Sequence, residues 1–149
     1  MSVSAEILKK VQGYCAYQER CQQEVRLKLS AMGVRGEEAE LIISELISGN
    51  FINEERYARS FARGKFRLKK WGKRKIENAL KQKKISSFCI RKGISEINES
   101  EYKKLIHRLA NDPPPKTDLE KMARIRKLIS KGFESDLVKN AIGFELEDH

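Results

Sequence analysis

The sequence predicts an all-α protein made of three tandem three-helix repeats in an elongated, curved array. Apolar residues recur three and four positions apart along nearly the whole chain, and β-branched alternation between Asn-Gly or Asp-Gly turns is absent. Glycines stand where these runs stop, at Gly33, Gly49 and Gly132. The pattern also repeats. Leu29-x3-Gly33-Val34, Leu80-x3-Lys84-Ile85 and Leu128-x3-Gly132-Phe133 set the same helix end and apolar turn at intervals of 51 and 48 residues. After each turn apolar side chains return at matching offsets: Ala39 and Ile43, Ile90 and Ile94, Val138 and Ile142. A unit of about fifty residues buries little core alone, so neighbours must share surface. The repeats are expected over 1–52, 53–98 and 99–149.

The first repeat should hold helices over Ser4 to Gln18, Cys21 to Met32 and Glu37 to Ser48. In the second, helices are expected over Glu54 to Lys70, Lys73 to Lys83 and Ser87 to Ile97, the first of them capped by Asn53. Trp71-Gly72 between two of these reads as a tight junction in which glycine permits unusual backbone angles. The third repeat runs through Glu99 to Ala110, Asp118 to Lys131 and Ser135 to Leu146. Asn98 caps its first helix, and Thr117 with Glu120 has capping-box spacing before its second. Between those two, Asn111-Asp112-Pro113-Pro114-Pro115 cannot continue a helix, because successive prolines lack amide donors and favour extended backbone. Met32 and Met122 fit core gap-filling.

Charge is concentrated in the second repeat. The 37 residues from Arg56 to Lys92 hold fifteen Lys or Arg and one acid, Glu77, against sixteen basic and twenty acidic residues elsewhere. The net +10 is therefore +14 from this segment and −4 from the remainder. On a wheel of about 100° per residue, Tyr57, Phe61 and Leu68 fall together as an inward stripe with Ala58 beside them. Arg56, Arg59, Arg63, Arg67 and Lys70 are spaced three, four, four and three apart and form a ridge away from it. No Glu interleaves between Arg56 and Gly72 to relieve their repulsion. Lys69, Lys70, Lys73, Arg74 and Lys75 bracket the Trp71-Gly72 junction, and Arg74 and Lys81 face outward on the next helix. Phosphate is one counter-charge for such a surface, and an acidic groove on a protein is another. Tyr57 and Phe61 belong to the core, and Trp71 packs on the helix that follows rather than stacking on a base.

Catalytic and metal chemistry finds no support. The two histidines, His107 and His149, have no cysteine or second histidine at zinc-ligand spacing, so no metal or cofactor is expected. There is no nucleophile elbow, phosphate loop or dinucleotide fingerprint. Paired acids such as Glu37-Glu38 and Glu54-Glu55 begin helices, where the macrodipole favours them. Apolar runs such as Leu41-Ile42-Ile43 are too short to cross a bilayer, and Met1 to Lys10 has no secretory core, which predicts a cytoplasmic protein without membrane contact. Cys15, Cys21 and Cys89, odd in number and irregularly spaced, read as free buried thiols.

The second repeat resembles a known family. It reads Asn53-Glu54-Glu55-Arg56-Tyr57-Ala58-x2-Phe61-x-Arg63-x-Lys65, then Gly72, Ile76, Leu80 and Ile85. This order and spacing is similar to the central repeat of the RecX family of RecA regulators, with an acidic pair, Arg-Tyr/Phe-Ala, Phe, spaced arginines, Gly-Pro, Ile, Leu and a closing Gly-Ile. The chain departs at Lys73, where the family has the proline, and at Lys84, where it has the glycine of the closing pair. The resemblance implies a non-catalytic, monomeric protein that binds RecA and inhibits its recombinase and ATPase activities on single-stranded DNA, in recombination, repair and the SOS response. Arg56, Arg59, Arg63, Arg67, Lys69, Lys70, Lys73, Arg74, Lys75 and Lys81 would then contact RecA, DNA or both, with duplex DNA as a further ligand. The alternatives from the residues alone are a helix-turn-helix-like reader and a general nucleic-acid-binding protein. For a reader, the helix over Lys73 to Lys83 offers few base-reading side chains besides Asn78 and Gln82.

Overall fold

The computed structural model describes residues 4–144. Nine helices and no strand occur among the described residues: α1 (Ala5–Tyr17), α2 (Gln22–Ala31), α3 (Gly36–Ser48), α4 (Glu54–Lys69), α5 (Lys73–Gln82), α6 (Ser87–Ile94), α7 (Glu99–Asn111), α8 (Asp118–Ser130) and α9 (Ser135–Ile142). The protein is all-α. Seven of the expected helices lie within one residue of these bounds at both ends; the exceptions are α6, which stops at Ile94, where Ile97 turns back to donate its N–H to the Ile94 carbonyl at 3.0 Å and bury its side chain, and α9, which stops at Ile142 because Gly143 caps it in the left-handed conformation, φ 74°. The expected end of the last helix at Leu146, like His149, lies outside the described residues.

The polar residues that start the helices act as their types require. Asn53, Asn98 and Thr117 accept the amides of Arg56, Glu101 and Glu120 at 3.0, 2.9 and 3.1 Å, satisfying donors that the first helical turn leaves orphaned. Glu120 reaches past its cap to the amide of Lys116 at 2.7 Å. The three repeated turns share one hydrogen bond. Val34, Ile85 and Phe133 donate to the carbonyls of Leu29, Leu80 and Leu128 at 2.8, 3.2 and 3.1 Å, around left-handed Gly33, Lys84 and Gly132. All six side chains of these pairs are buried.

The chain forms two compact units. One comprises Met1–Ser60 with Leu80–Gly93; the other comprises Phe61–Ala79 with Ile94–His149. In the first, Val11, Cys15, Val25, Leu29, Ile42, Ile43, Leu46 and Ile52 interdigitate as a buried cluster, with Met32 and Phe51 against its edge. Gly93 closes tightly on α4 there, since a Cβ on it would fall 2.6 Å from the Ala58 carbonyl oxygen. In the second unit an aromatic series runs through the core: Phe66 lies 5.9 Å from Tyr102, and Tyr102 lies 5.6 Å from Phe133 between ring centroids.

Several sequence expectations need correction. Leu68 is 81% exposed and is not part of an inward stripe, and Phe61 is only half-buried. The buried residues of α4 are Tyr57 and Ala58 in the first unit and Ala62 and Phe66 in the second. The period alone groups Leu68 with Tyr57, whereas the buried residues of α4 follow the row Ala58, Ala62 and Phe66, four apart. Gly72 does not hold a positive φ; Lys70 does, at 56°. Glycine is needed at 72 for closeness instead, because a Cβ there would sit 2.2 Å from the carbonyl carbon of Gly132. Met122 is exposed. Cys15 and Cys21 are buried, and burial raises both thiol pKa values, whereas Cys89 is partly exposed.

Candidate functional site

The cations that the sequence singles out divide into those that the fold has already paired and those that it leaves unpaired. In the first unit the Arg56 Nε donates to Glu19 Oε1 at 2.6 Å, and a second guanidinium nitrogen donates to the Asn50 carbonyl at 3.1 Å. Arg59 donates to Glu55, one turn earlier on α4, at 3.3 Å. Lys81 of the same unit is exposed and has no carboxylate within ion-pair distance among the described residues. In the second unit Arg63 meets Glu96 at 3.3 Å, and Lys73 pairs with Glu99 while its ammonium lies 4.6 Å from the centre of the Tyr102 ring. Apart from Glu55 on α4 itself, the acids that pair with these cations come from other segments. Arg56, Arg59, Arg63 and Lys73 serve the fold, which the expectation of one unrelieved ridge did not allow for.

The N-terminus of α5 is fixed by a buried polar relay. The Tyr102 hydroxyl accepts the Lys73 amide at 3.0 Å and donates to Glu134 at 2.9 Å. Burial pushes the Tyr102 pKa upward, so the hydroxyl keeps its proton and both bonds. Arg74 then donates its amide to the Gly132 carbonyl at 3.0 Å, leaving its side chain exposed. Trp71 packs edge-on against Phe61 of the preceding helix, with centroids 6.4 Å apart, as well as meeting Lys75 of the following helix as expected. The Lys65 and Lys75 ammonium groups lie 4.8 and 4.5 Å from the centre of its ring.

Arg67, Lys69 and Arg74 are exposed, Lys70 is half-buried, and none has a carboxylate within ion-pair distance among the described residues. Arg67 and Lys70 line a cleft of about 370 Å³ in the second unit together with Phe66, Glu101, Lys104, Leu105 and Arg108. Four cations and one carboxylate thus face one concave surface over a floor of Phe66 and Leu105. Lys104 and Arg108 were not among the expected site residues. Their spacing from Glu101, three and then four positions along α7, was the available signal, but acids and bases nearly balance in that segment and hide it. Lys69 and Arg74 do not line the cleft.

Among the described residues, no group of three or more His, Cys, Asp or Glu side chains is arranged to hold a metal ion. No helix among them is long and apolar enough to cross a membrane.

Residues 53–96 match the family model for the second three-helix domain of RecX. The chain is 35% identical over 135 residues to the regulatory protein RecX of Streptococcus uberis, an alignment that covers 87% of this chain and 52% of that protein. It is 27% identical over 143 residues to the regulatory protein RecX of Prosthecochloris aestuarii, covering 95% and 94% of the two chains. The chain spans about half the length of several curated relatives that it matches, the Streptococcus uberis protein among them. A crystal structure of a regulatory protein RecX superposes with a TM-score of 0.81 at 22% identity over 93% of this chain and 70% of that one, a likeness of fold. With the basic segment and the middle one of the repeated turns both falling within the matched domain, the chain belongs to the RecX family.

Proposed function

We propose that the protein is a non-catalytic regulator that binds RecA and its filament on single-stranded DNA and inhibits the recombinase and ATPase activities, so modulating homologous recombination and DNA repair. It acts as a monomer in the cytoplasm, built of three-helix repeats over 1–52, 53–98 and 99–149. The shared hydrogen bond of the three turns supports that division. The names of its relatives support a regulatory role.

The observation that carries the reading is a group of cations in the second unit, inside the matched segment, that have no ion-pair partner among the described residues: Arg67, Lys69, Lys70 and Arg74. Held without a paired acid, these four are ready for an external polyanion or an acidic protein face. Leu68, 81% exposed among them, adds an apolar contact for the same partner.

The test is charge reversal of Arg67, Lys69 and Arg74 to Glu. These side chains are exposed and support nothing in the fold, so the helical circular dichroism should not change. Inhibition of the DNA-dependent ATPase of RecA should be lost. A folded triple variant that inhibits as well as the wild type would remove this surface from the mechanism.

A further inference from the structure

We infer that the cleft between the end of α4 and α7, walled by Arg67, Lys70, Lys104 and Arg108, is a binding site for the phosphodiester backbone of single-stranded nucleic acid. The inference rests on the reading above only in taking a single strand as the polymer; the cleft itself is defined by its own geometry.

Two arginines and two lysines converge on about 370 Å³ with one opposing carboxylate, Glu101. None of the four has a carboxylate within ion-pair distance among the described residues. Lys104 and Arg108 are one turn apart on α7, a spacing at which like charges oppose each other by a few tenths of a kcal/mol. The described residues therefore hold four cations over one hollow with a single carboxylate, Glu101, to offset them, a net excess of three positive charges. An anion entering the cleft offsets that excess, and arginine offers the fork of donors that suits phosphate oxygens.

The choice of a phosphodiester over an acidic peptide follows from the floor and the surroundings. Phe66 and Leu105 are only 7% and 8% exposed, so they offer little apolar area to anchor a peptide side chain. Outside the cleft, exposed Lys69 and Arg74 extend the positive charge of the same unit. Repeated cations suit a polymer that carries one charge per residue. Lys70 ends α4 as a left-handed helix cap, φ 56°, with the Trp71 amide donating to the Lys65 carbonyl at 3.1 Å, which sets it at the edge of the cleft.

The experiment is fluorescence anisotropy of a fluorescein-labelled oligothymidylate titrated with the full chain at several salt concentrations, without RecA. Lys104→Gln with Arg108→Gln removes two contacts on exposed side chains. The slope of log K against log salt should become shallower by about 1.4, at ~0.7 per phosphate contact, and binding at ~0.1 M salt should weaken roughly 25-fold. Glu101→Gln should bind more tightly than the wild type, a gain that misfolding cannot produce. An unchanged slope in the double variant, or no gain for Glu101→Gln, would overturn the proposal. If the slope is unchanged while inhibition of the RecA ATPase is lost, the cleft is a protein contact and the nucleic-acid assignment fails. If the slope falls as expected but the wild type leaves the RecA ATPase untouched, the cleft stands and the regulatory reading fails.

Discussion

Gly72→Ala offers the sharpest test of how the second unit is built. An ideal Cβ at this position falls 2.2 Å from the Gly132 carbonyl carbon and 2.3 Å from both its oxygen and the Phe133 nitrogen. Ordinary carbon contacts need ~3.5 to 4 Å, so backbone must part from backbone by more than about 1 Å. That movement also stretches two hydrogen bonds, from Gly72 N–H to the Lys131 carbonyl at 2.8 Å and from Arg74 N–H to the Gly132 carbonyl at 3.0 Å. With about 1 kcal/mol for each bond and ~1 to 3 kcal/mol for overpacking, the loss should be roughly 3 to 5 kcal/mol, a large part of the ~5 to 15 kcal/mol that holds a typical domain together. The single tryptophan, Trp71, adjoins the site and reports on this unit, so urea unfolding followed by its fluorescence is the assay. Since two compact units need not unfold together, the tryptophan midpoint is compared without assuming one transition for the chain. Gly64→Ala is the control in the same unit: a Cβ there meets nothing within 4 Å, and the exchange inside α4 should stabilise by about 0.5 to 1 kcal/mol. A Gly72→Ala protein with the wild-type midpoint would refute the close-approach argument.

Other perturbations separate structural from functional cations and probe the buried titrating groups. Arg56→Ala should lower stability by about 1 to 2 kcal/mol, because Glu19 loses a charge-assisted bond, whereas Arg67→Ala should stay within ~0.5 kcal/mol; equal urea midpoints for the two variants would contradict the division. Burial raises the folded-state pKa of Glu54, partly offset by the Gln22 amide that it accepts at 3.1 Å. Its contribution is thus fully present below the unfolded pKa of about 4.3 and is lost as pH rises through the higher folded value. Glu54→Gln should therefore gain on the wild type as pH rises through that window, and a stability difference independent of pH would sink the assignment. Reaction with a disulfide reagent should show Cys89 modified first, because Cys15 and Cys21 are buried with raised pKa values; three thiols reacting at one rate would count against that burial pattern.

Much of the fold was legible because its signals are local. A cap requires a polar side chain three residues before the amide that it accepts, and Asn53, Asn98 and Thr117 stand at that distance. The repeated turn requires an apolar pair five residues apart around a left-handed position, and the sequence shows it three times, even where Lys84 replaces glycine. What was not legible depends on what each element meets. The stripe of Tyr57, Phe61 and Leu68 follows from period alone, but α4 serves two cores, so Ala62 and Phe66 replace Leu68 on the buried side of its second half. Gly72 likewise announces a special backbone position without saying whether the need is an angle or a near neighbour sixty residues away.

The candidate site shows the same limit with a functional consequence. Composition counts charges and a wheel assigns them to a face, but neither sees that Glu19, Glu96 and Glu99 arrive from other segments to pair with Arg56, Arg63 and Lys73. Once those pairs are made, the strongest helical ridge in the sequence contributes few unpaired cations toward its N-terminal end. Lys104 and Arg108, in a segment of ordinary charge, gain importance because α7 sets them beside Arg67 and Lys70. Charge density along the sequence therefore does not show which cations of α4 are paired, nor that α7 sets two more beside its end. What a partner meets is the charge left after the fold has satisfied its own; in the second unit part of it, Arg67, Lys70, Lys104 and Arg108, lines one cleft, and part of it, Lys69 and Arg74, stands outside.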